Sequence, residues 1–209
     1  LHAAAIVPET LQRQLGAEMQ RQAALTPRSM LQLEAVHDGG GAFFAQHRNA
    51  NAYYRFGTRE IYMHPEWTSP LSQRYRAASK QHGIQTGWTA PTGAAVPAAS
   101  TAAHEYGHHL HGLMQGLPVE RLQDFAGKLG AALDLPMDTS LIHDWTFLND
   151  QIDMAIRNNR QRVVAMVSEY GATNPLEMLA EIWQEYSTLG DMARPHIVEA
   201  GRLIQSVVG

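Results

Sequence analysis

The sequence predicts a mainly helical α+β domain with a small sheet near its front. Three observations carry that expectation. Apolar residues recur at helical spacing over most of the chain, from Leu11, Leu15 and Met19 to Leu176, Leu179, Ile182, Trp183 and Tyr186. Strand-like alternation of aromatic and polar residues is confined to 41–64. With 209 residues, 44% of them hydrophobic, residues 1–209 have the length and apolar content for a single domain with one sizeable core.

Composition narrows the function. The chain has no cysteine, so disulfides and thiolate metal sites are excluded and any metal must be held by His, Asp or Glu. A formal net charge of −4 argues against a nucleic-acid binder. No stretch approaches the roughly 18 apolar residues of a membrane span. Leu1-His2-Ala3 lacks the basic start and apolar run of a signal peptide. Because it starts without Met, the chain is expected to be a processed product or an excised domain.

Residues 1–36 read as a helical extension broken at Pro8 and Pro27, rich in Gln and Arg, laid over the surface and carrying no recognisable chemistry. Asp38-Gly39-Gly40-Gly41 then punctuates the chain. Segments 41–45, 52–56 and 61–64 follow as short strands, giving an antiparallel sheet over 41–64. Such a sheet can hold a peptide as an added strand along its edge, or it can simply cover the core. Residues 65–97 carry Pro65, Pro70, Pro91 and Pro97 and are expected as irregular surface over a cleft, with one short helix over 72–81. His64 and His82 have no partner at ligand spacing and read as ordinary surface or hydrogen-bonded histidines.

The most informative stretch is His104-Glu105-Tyr106-Gly107-His108, of the form H-E-x-x-H, on a helix expected over 98–116 with Pro97, Ser100 and Thr101 as start signals. A helix advances about 100° per residue, so His108 lies about 40° from His104 and Glu105 about 100°. The two imidazoles therefore point the same way, which suits Zn²⁺ with nitrogen ligands at about 2.0–2.1 Å. Glu105 sits too far round to be an easy third ligand, but it suits the general base of metal-assisted hydrolysis. Ala102, Ala103, Tyr106, Leu110 and Met114 take the opposite arc and are expected in the core. His109 is expected to be exposed. His111 shares the face of His104, but a rise of about 10 Å between them keeps both from one small ion, so His111 is expected at the cleft rim or behind a ligand.

From Pro118 onward the pattern is helical, with one helix marked by Leu122, Phe125, Leu129 and Leu133 and another over about 143–170, irregular near Asn158-Asn159. A last helix over 175–189 starts cleanly, with Asn174 as N-cap, Pro175 at the first position and Glu177 two residues on. Glu177, Glu181 and Glu185 form a stripe opposite its apolar arc. Glu177 can complete a capping box while the other two face solvent. Alternatively the stripe faces a cation, which would relieve a repulsion of a few tenths of a kcal/mol per pair. The lack of a third metal ligand elsewhere in a cysteine-free chain favours the second reading.

His104-Glu105-Tyr106-Gly107-His108 followed by Ser168-x-Tyr170-Gly171-x-x-Asn174-x-x-Glu177-x-x-x-Glu181 resembles the catalytic domain of the anthrax lethal factor-like zinc metallopeptidases, which are gluzincins. The resemblance covers about residues 41–190. It implies a zincin-like metallopeptidase fold with a two-helix zinc site, in which His104, His108 and Glu177 bind Zn²⁺ and Glu105 activates the water. It also implies that Tyr170 turns its hydroxyl to the metal site, to stabilise an oxyanion or protonate the leaving amine, and that Glu181 orients a ligand imidazole. The implied function is zinc-dependent endopeptidase, with a protein or peptide substrate and a toxin or effector setting, secreted or delivered into a target cell. His109 and His111 have no counterpart in the pattern. Two rival classes stand beside this reading: a non-catalytic zinc-stabilised binding module closed by a fourth ligand such as His111, and a helical structural domain in which the motif is coincidental.

Overall fold

The structure, a computed structural model, describes residues 9–38, 42–47, 50–93 and 97–209. The break at Pro8, the glycines 39–41 and Asn49 lie outside the described residues. In chain order the elements are α1 (Glu9–Leu25), α2 (Pro27–Met30), β1 (Ala35–Asp38), α3 (Ala42–Gln46), β2 (Ala52–Arg55), β3 (Glu60–Met63) and α4 (Pro70–Thr86). Then come α5 (Pro97–Leu113), α6 (Val119–Leu133), α7 (Trp145–Asn158), α8 (Arg160–Met166), α9 (Pro175–Leu189) and α10 (Pro195–Val208). The fold is mostly helical with a small, unclosed three-stranded sheet, an arrangement consistent with a zincin. Among the described residues no helix is long and apolar enough to cross a membrane.

The sheet differs from the one the sequence predicts. β3 is central, paired parallel to β1 and antiparallel to β2. The third strand comes from 35–38, at the end of the stretch expected to be helical, and 42–46 is a short helix rather than a strand. The reason is cross-strand chemistry, which a local reading does not contain. His37 of β1 stacks on Tyr62 of β3 and shares a hydrogen bond with Glu60 at 2.8 Å. The pair Phe43-Phe44, lacking polar alternation, instead packs its rings on Tyr53.

Segment 65–97 also departs from the expected loop, because α4 fills most of it with 17 residues. Pro70 is at the start of the helix, where its missing N–H costs nothing, rather than acting as a breaker. Gly87 ends the helix at φ 77°, the left-handed conformation that glycine adopts without a Cβ clash, and its N–H bonds the Gly83 and Ile84 carbonyls. Farther on, the chain breaks between α7 and α8 at Asn159, where irregularity is expected.

The core is organised around α5, which is buried from Ala98 to His111. Ala102, Tyr106, Leu110 and Met114 are wholly inaccessible. Tyr106 carries a hydroxyl into this apolar setting and satisfies it on Thr26 at 2.9 Å, as a buried phenol must. Trp183 of α9 likewise donates to Gln22 of α1 at 2.8 Å. These bonds fix α1, α5 and α9 against one another, so that one face of α5 looks onto α9 and another onto the edge strand β2.

Candidate metal centre

Local chemistry at the start of α9 sets the position of its first carboxylate. The Asn174 side chain accepts the Glu177 N–H at 3.0 Å and Pro175 follows at the first helical position, a cap worth about 1 kcal/mol. Glu177 is thereby aimed at α5. Its Oε2 lies 3.0 Å from Nε2 of His104 and 3.5 Å from Nε2 of His108. The two imidazoles stand nearly perpendicular, at 88° with centroids 4.9 Å apart. One ligand-type atom from each of His104, Glu105 and His108 lies within 4.8 Å of the others, and all three residues are buried. This triad is a metal-binding motif of the general gluzincin type.

Behind His104 stands Glu181, itself 1% exposed, with Oε1 3.1 Å from Nδ1 of the ring. The other oxygen of Glu181 accepts from Ser168 Oγ at 2.9 Å and from the Ala90 N–H. A carboxylate can only accept, so the metal-free His104 ring carries both protons, donating Nδ1–H to Glu181 and Nε2–H to Glu177. A metal cation bound at Nε2 would take the place of that second proton. Burial pulls the His104 pKa down, yet the hydrogen bonds and charges of Glu177 and Glu181 outweigh it and lift the ring to about 10. Burial likewise raises the Glu177 carboxyl, but the two histidines hold it well below the usual carboxylate range. The three groups thus demand a positive charge at their meeting point.

A zinc ion fits this demand. Tetrahedral ligands at 2.0–2.1 Å are about 3.3–3.5 Å from one another, close to the spacings between Glu177 and the two imidazoles. Two histidines and one glutamate are also a donor set found in catalytic zinc sites, which keep a fourth position open.

Glu105 and Tyr170 border the space in front of these groups. Both line each of two lobes of one cleft, of about 450 and 300 Å³, which also share Ala50 and Ala52 at β2. Burial raises the Glu105 carboxyl, against the pull of His108 and His104. Tyr170 stacks its ring on His104 at 5.8 Å and 23°. Its loop is pinned to the end of α4 by the Glu169 N–H on Gly87 O at 2.9 Å and the Tyr170 N–H on Trp88 O at 2.8 Å. Burial and the Glu177 carboxylate raise the Tyr170 pKa, so the phenol keeps its proton.

Other residues fall elsewhere than the sequence predicts. His109 is wholly buried instead of exposed, sharing a hydrogen bond with Tyr54 Oη at 2.9 Å and with the Ser29 carbonyl at 2.9 Å. Since a carbonyl only accepts, Nε2–H of His109 donates to Ser29 and Nδ1 accepts from Tyr54, tying α5 to β2 and α2. His111 is not at a rim: it is 1% exposed, packs on Trp145, and neither ring nitrogen is hydrogen-bonded. Among the described residues it does not join the cluster of converging ligand atoms. His64 is buried, its Nδ1 accepting the Glu66 N–H at 3.1 Å. Glu185, expected on one stripe with Glu177 and Glu181, pairs with Arg194 at the other end of α9. Lys80, which no motif singles out, lines the larger lobe beside Glu105. Compared with protein-family models, curated proteins and solved structures, the chain finds no match.

Proposed function

We propose that the protein is a zinc-dependent endopeptidase of the lethal factor-like gluzincin type, with His104, His108 and Glu177 as zinc ligands. The observation that carries this reading is the convergence of one Glu177 oxygen on Nε2 of both histidines, 3.0 and 3.5 Å away, beside a cleft that Glu105 lines. When bound, zinc supplies a Lewis acid that polarises a scissile carbonyl and acidifies water.

The residues divide the remaining work. Glu181 holds the Nδ1–H of His104 and so keeps Nε2 available for the ion. Glu105, whose carboxyl pKa burial raises, takes the proton of the attacking water and returns it to the leaving amine. Tyr170, protonated at working pH, donates its hydroxyl hydrogen to the oxygen on which negative charge develops. β2 pairs with β3 on one side only among the described residues, and its other edge can hold an extended substrate as an added strand. Secretion, or delivery into a target cell as a toxin or effector, belongs to the same proposal and predicts the protein outside the cell that makes it.

The test is metal content and peptide cleavage on identically purified variants. Wild type is expected to carry about one zinc per chain and to cleave a mixed peptide library; Glu177→Ala loses the zinc; Glu105→Gln keeps it and loses turnover. Full activity in Glu105→Gln would sink the mechanism, and equal zinc in Glu177→Ala would move the third ligand elsewhere.

A further inference from the structure

The larger lobe holds a set of hydrogen-bond donors that this chemistry leaves unused. Lys80, on the face of α4 that borders the cleft, spends one of its three N–H groups on Gln184 Oε1 at 2.6 Å. Among the described residues no carboxylate comes within ion-pair distance of its ammonium; burial lowers its pKa, and the charges of Glu181 and Glu105 only partly oppose this, so an anion in the lobe would favour the charged form. Thr101 Oγ1 on α5, Thr89 Oγ1 on the loop after α4, and Gln184 Nε2 are buried without any hydrogen-bond partner. Thr101 is 4% exposed and Gln184 wholly buried. Lys80, Thr89 and Thr101 line the same lobe as Glu105, while Gln184 lies behind it and holds Lys80.

Buried polar groups are ordinarily paired, so this concentration of unpaired ones calls for a partner. What they have in common is that each can donate. Of the two carboxylates on the lobe, Glu181 is committed, its oxygens taken by His104, Ser168 and Ala90. A lobe with one cation and surplus donors takes an anion with several acceptor oxygens. Because Glu105 and Glu181 line the lobe as well, a dianion such as phosphate meets twice the repulsion of a monoanion. The balance favours a carboxylate.

We propose that this lobe is a carboxylate subsite, in which Lys80, positioned by Gln184, together with Thr89 and Thr101 selects substrates bearing a carboxylate next to the scissile bond. The carboxylate belongs either to an Asp or Glu side chain or to a free C-terminus. The proposal rests on the peptidase reading for its place in a reaction, but not for its binding chemistry.

The experiment is calorimetric binding of short peptides to the zinc-loaded full chain carrying Glu105→Gln, so that nothing is turned over. Peptides come as twins that differ by Asp for Asn or Glu for Gln, each with a free or an amidated C-terminus. The acid twin is expected to bind at least about tenfold tighter, as charge-assisted hydrogen bonds do. Dependence on Asp or Glu identifies a side chain, and dependence on the free terminus identifies the chain end. Adding Lys80→Met or Lys80→Gln should erase the difference, Lys80→Arg should keep it, and Thr101→Val should weaken the acid twin alone. Equal binding of the twins, no binding of either, or a preference that survives Lys80→Met and Lys80→Gln would overturn the subsite. Cleavage of the same peptides by wild type separates the two readings: acid-selective binding without cleavage leaves the subsite standing and fells the peptidase, while cleavage without acid selectivity does the reverse.

Discussion

Gly107 and Ala180 meet where α5 crosses α9, so closely that a Cβ on Gly107 would lie 2.7 Å from the Ala180 Cα. The glycine between the two motif histidines thus sets the distance across which Glu177 and Glu181 reach them. Alanine is the better helix former by about 1 kcal/mol, but its methyl would press on backbone, which cannot rotate away. Gly107→Ala is therefore expected to lose about 1–3 kcal/mol net through overpacking and to bind zinc at least about tenfold more weakly as the helices part. Thermal melts and a zinc titration check this. An unchanged melting temperature would show that the crossing has slack.

Glu181→Gln keeps the shape of the side chain behind His104 and removes its charge. Zinc affinity is expected to fall about 10- to 100-fold, as it does when the group supporting a ligand histidine is altered. Competition against a calibrated chelator measures this directly. Affinity equal to wild type would mean that the contact at 3.1 Å orients nothing.

Glu185 and Arg194 form a structural pair remote from the cleft chemistry. Glu185 is wholly buried and accepts from Arg194 Nε at 3.0 Å, from the Arg194 N–H at 3.0 Å and from its guanidinium tip. The guanidinium also donates to the Val167 carbonyl at 2.7 Å. Arg194→Met strands a buried carboxylate and is expected to cost about 3–5 kcal/mol, while the double change Glu185→Met, Arg194→Met costs much less. Zinc content should stay at the wild-type level in both. Urea unfolding and elemental analysis decide between this and a coupled site.

His111 predicts acid sensitivity. Burial holds its pKa down to about 3, whereas an unfolded histidine takes its proton near 6.5. The unfolded state therefore binds the proton first, so stability is full above about pH 6.5 and declines as pH falls toward 3, by at most on the order of 4 kcal/mol. His111→Phe should flatten the pH dependence of the urea midpoint between pH 7 and 4, measured with chelator present so that zinc release does not contribute. Identical slopes in wild type and variant would assign the acid lability elsewhere.

The periodicity of α5 and α9, the cap at Asn174 and the pairing of H-E-x-x-H with a later glutamate are local patterns, legible because helical spacing alone decides which side chains share a face. Strand 35–38 was not legible, since its stabilising partners, Glu60 and Tyr62, lie on another strand. Helix α4 was obscured by proline signals that mark a start as readily as a break.

The same boundary runs through the site. Helical spacing alone puts His104 and His108 on one side of a helix, and a chain without cysteine leaves only carboxylate or imidazole to complete a metal set. Packing is what tells the three glutamates apart. On one helix, Glu177 meets both imidazoles, Glu181 stands behind His104, and Glu185 turns to Arg194. Their sequence environments are nearly alike, and what separates them is the element each one faces. Tertiary packing also buried His109 and His111 and brought Lys80 beside Glu105. The reason is physical: spacing along a helix fixes direction about its axis, whereas the charge, hydrogen bonds and solvent that a side chain meets are set by the neighbour that packing brings to it.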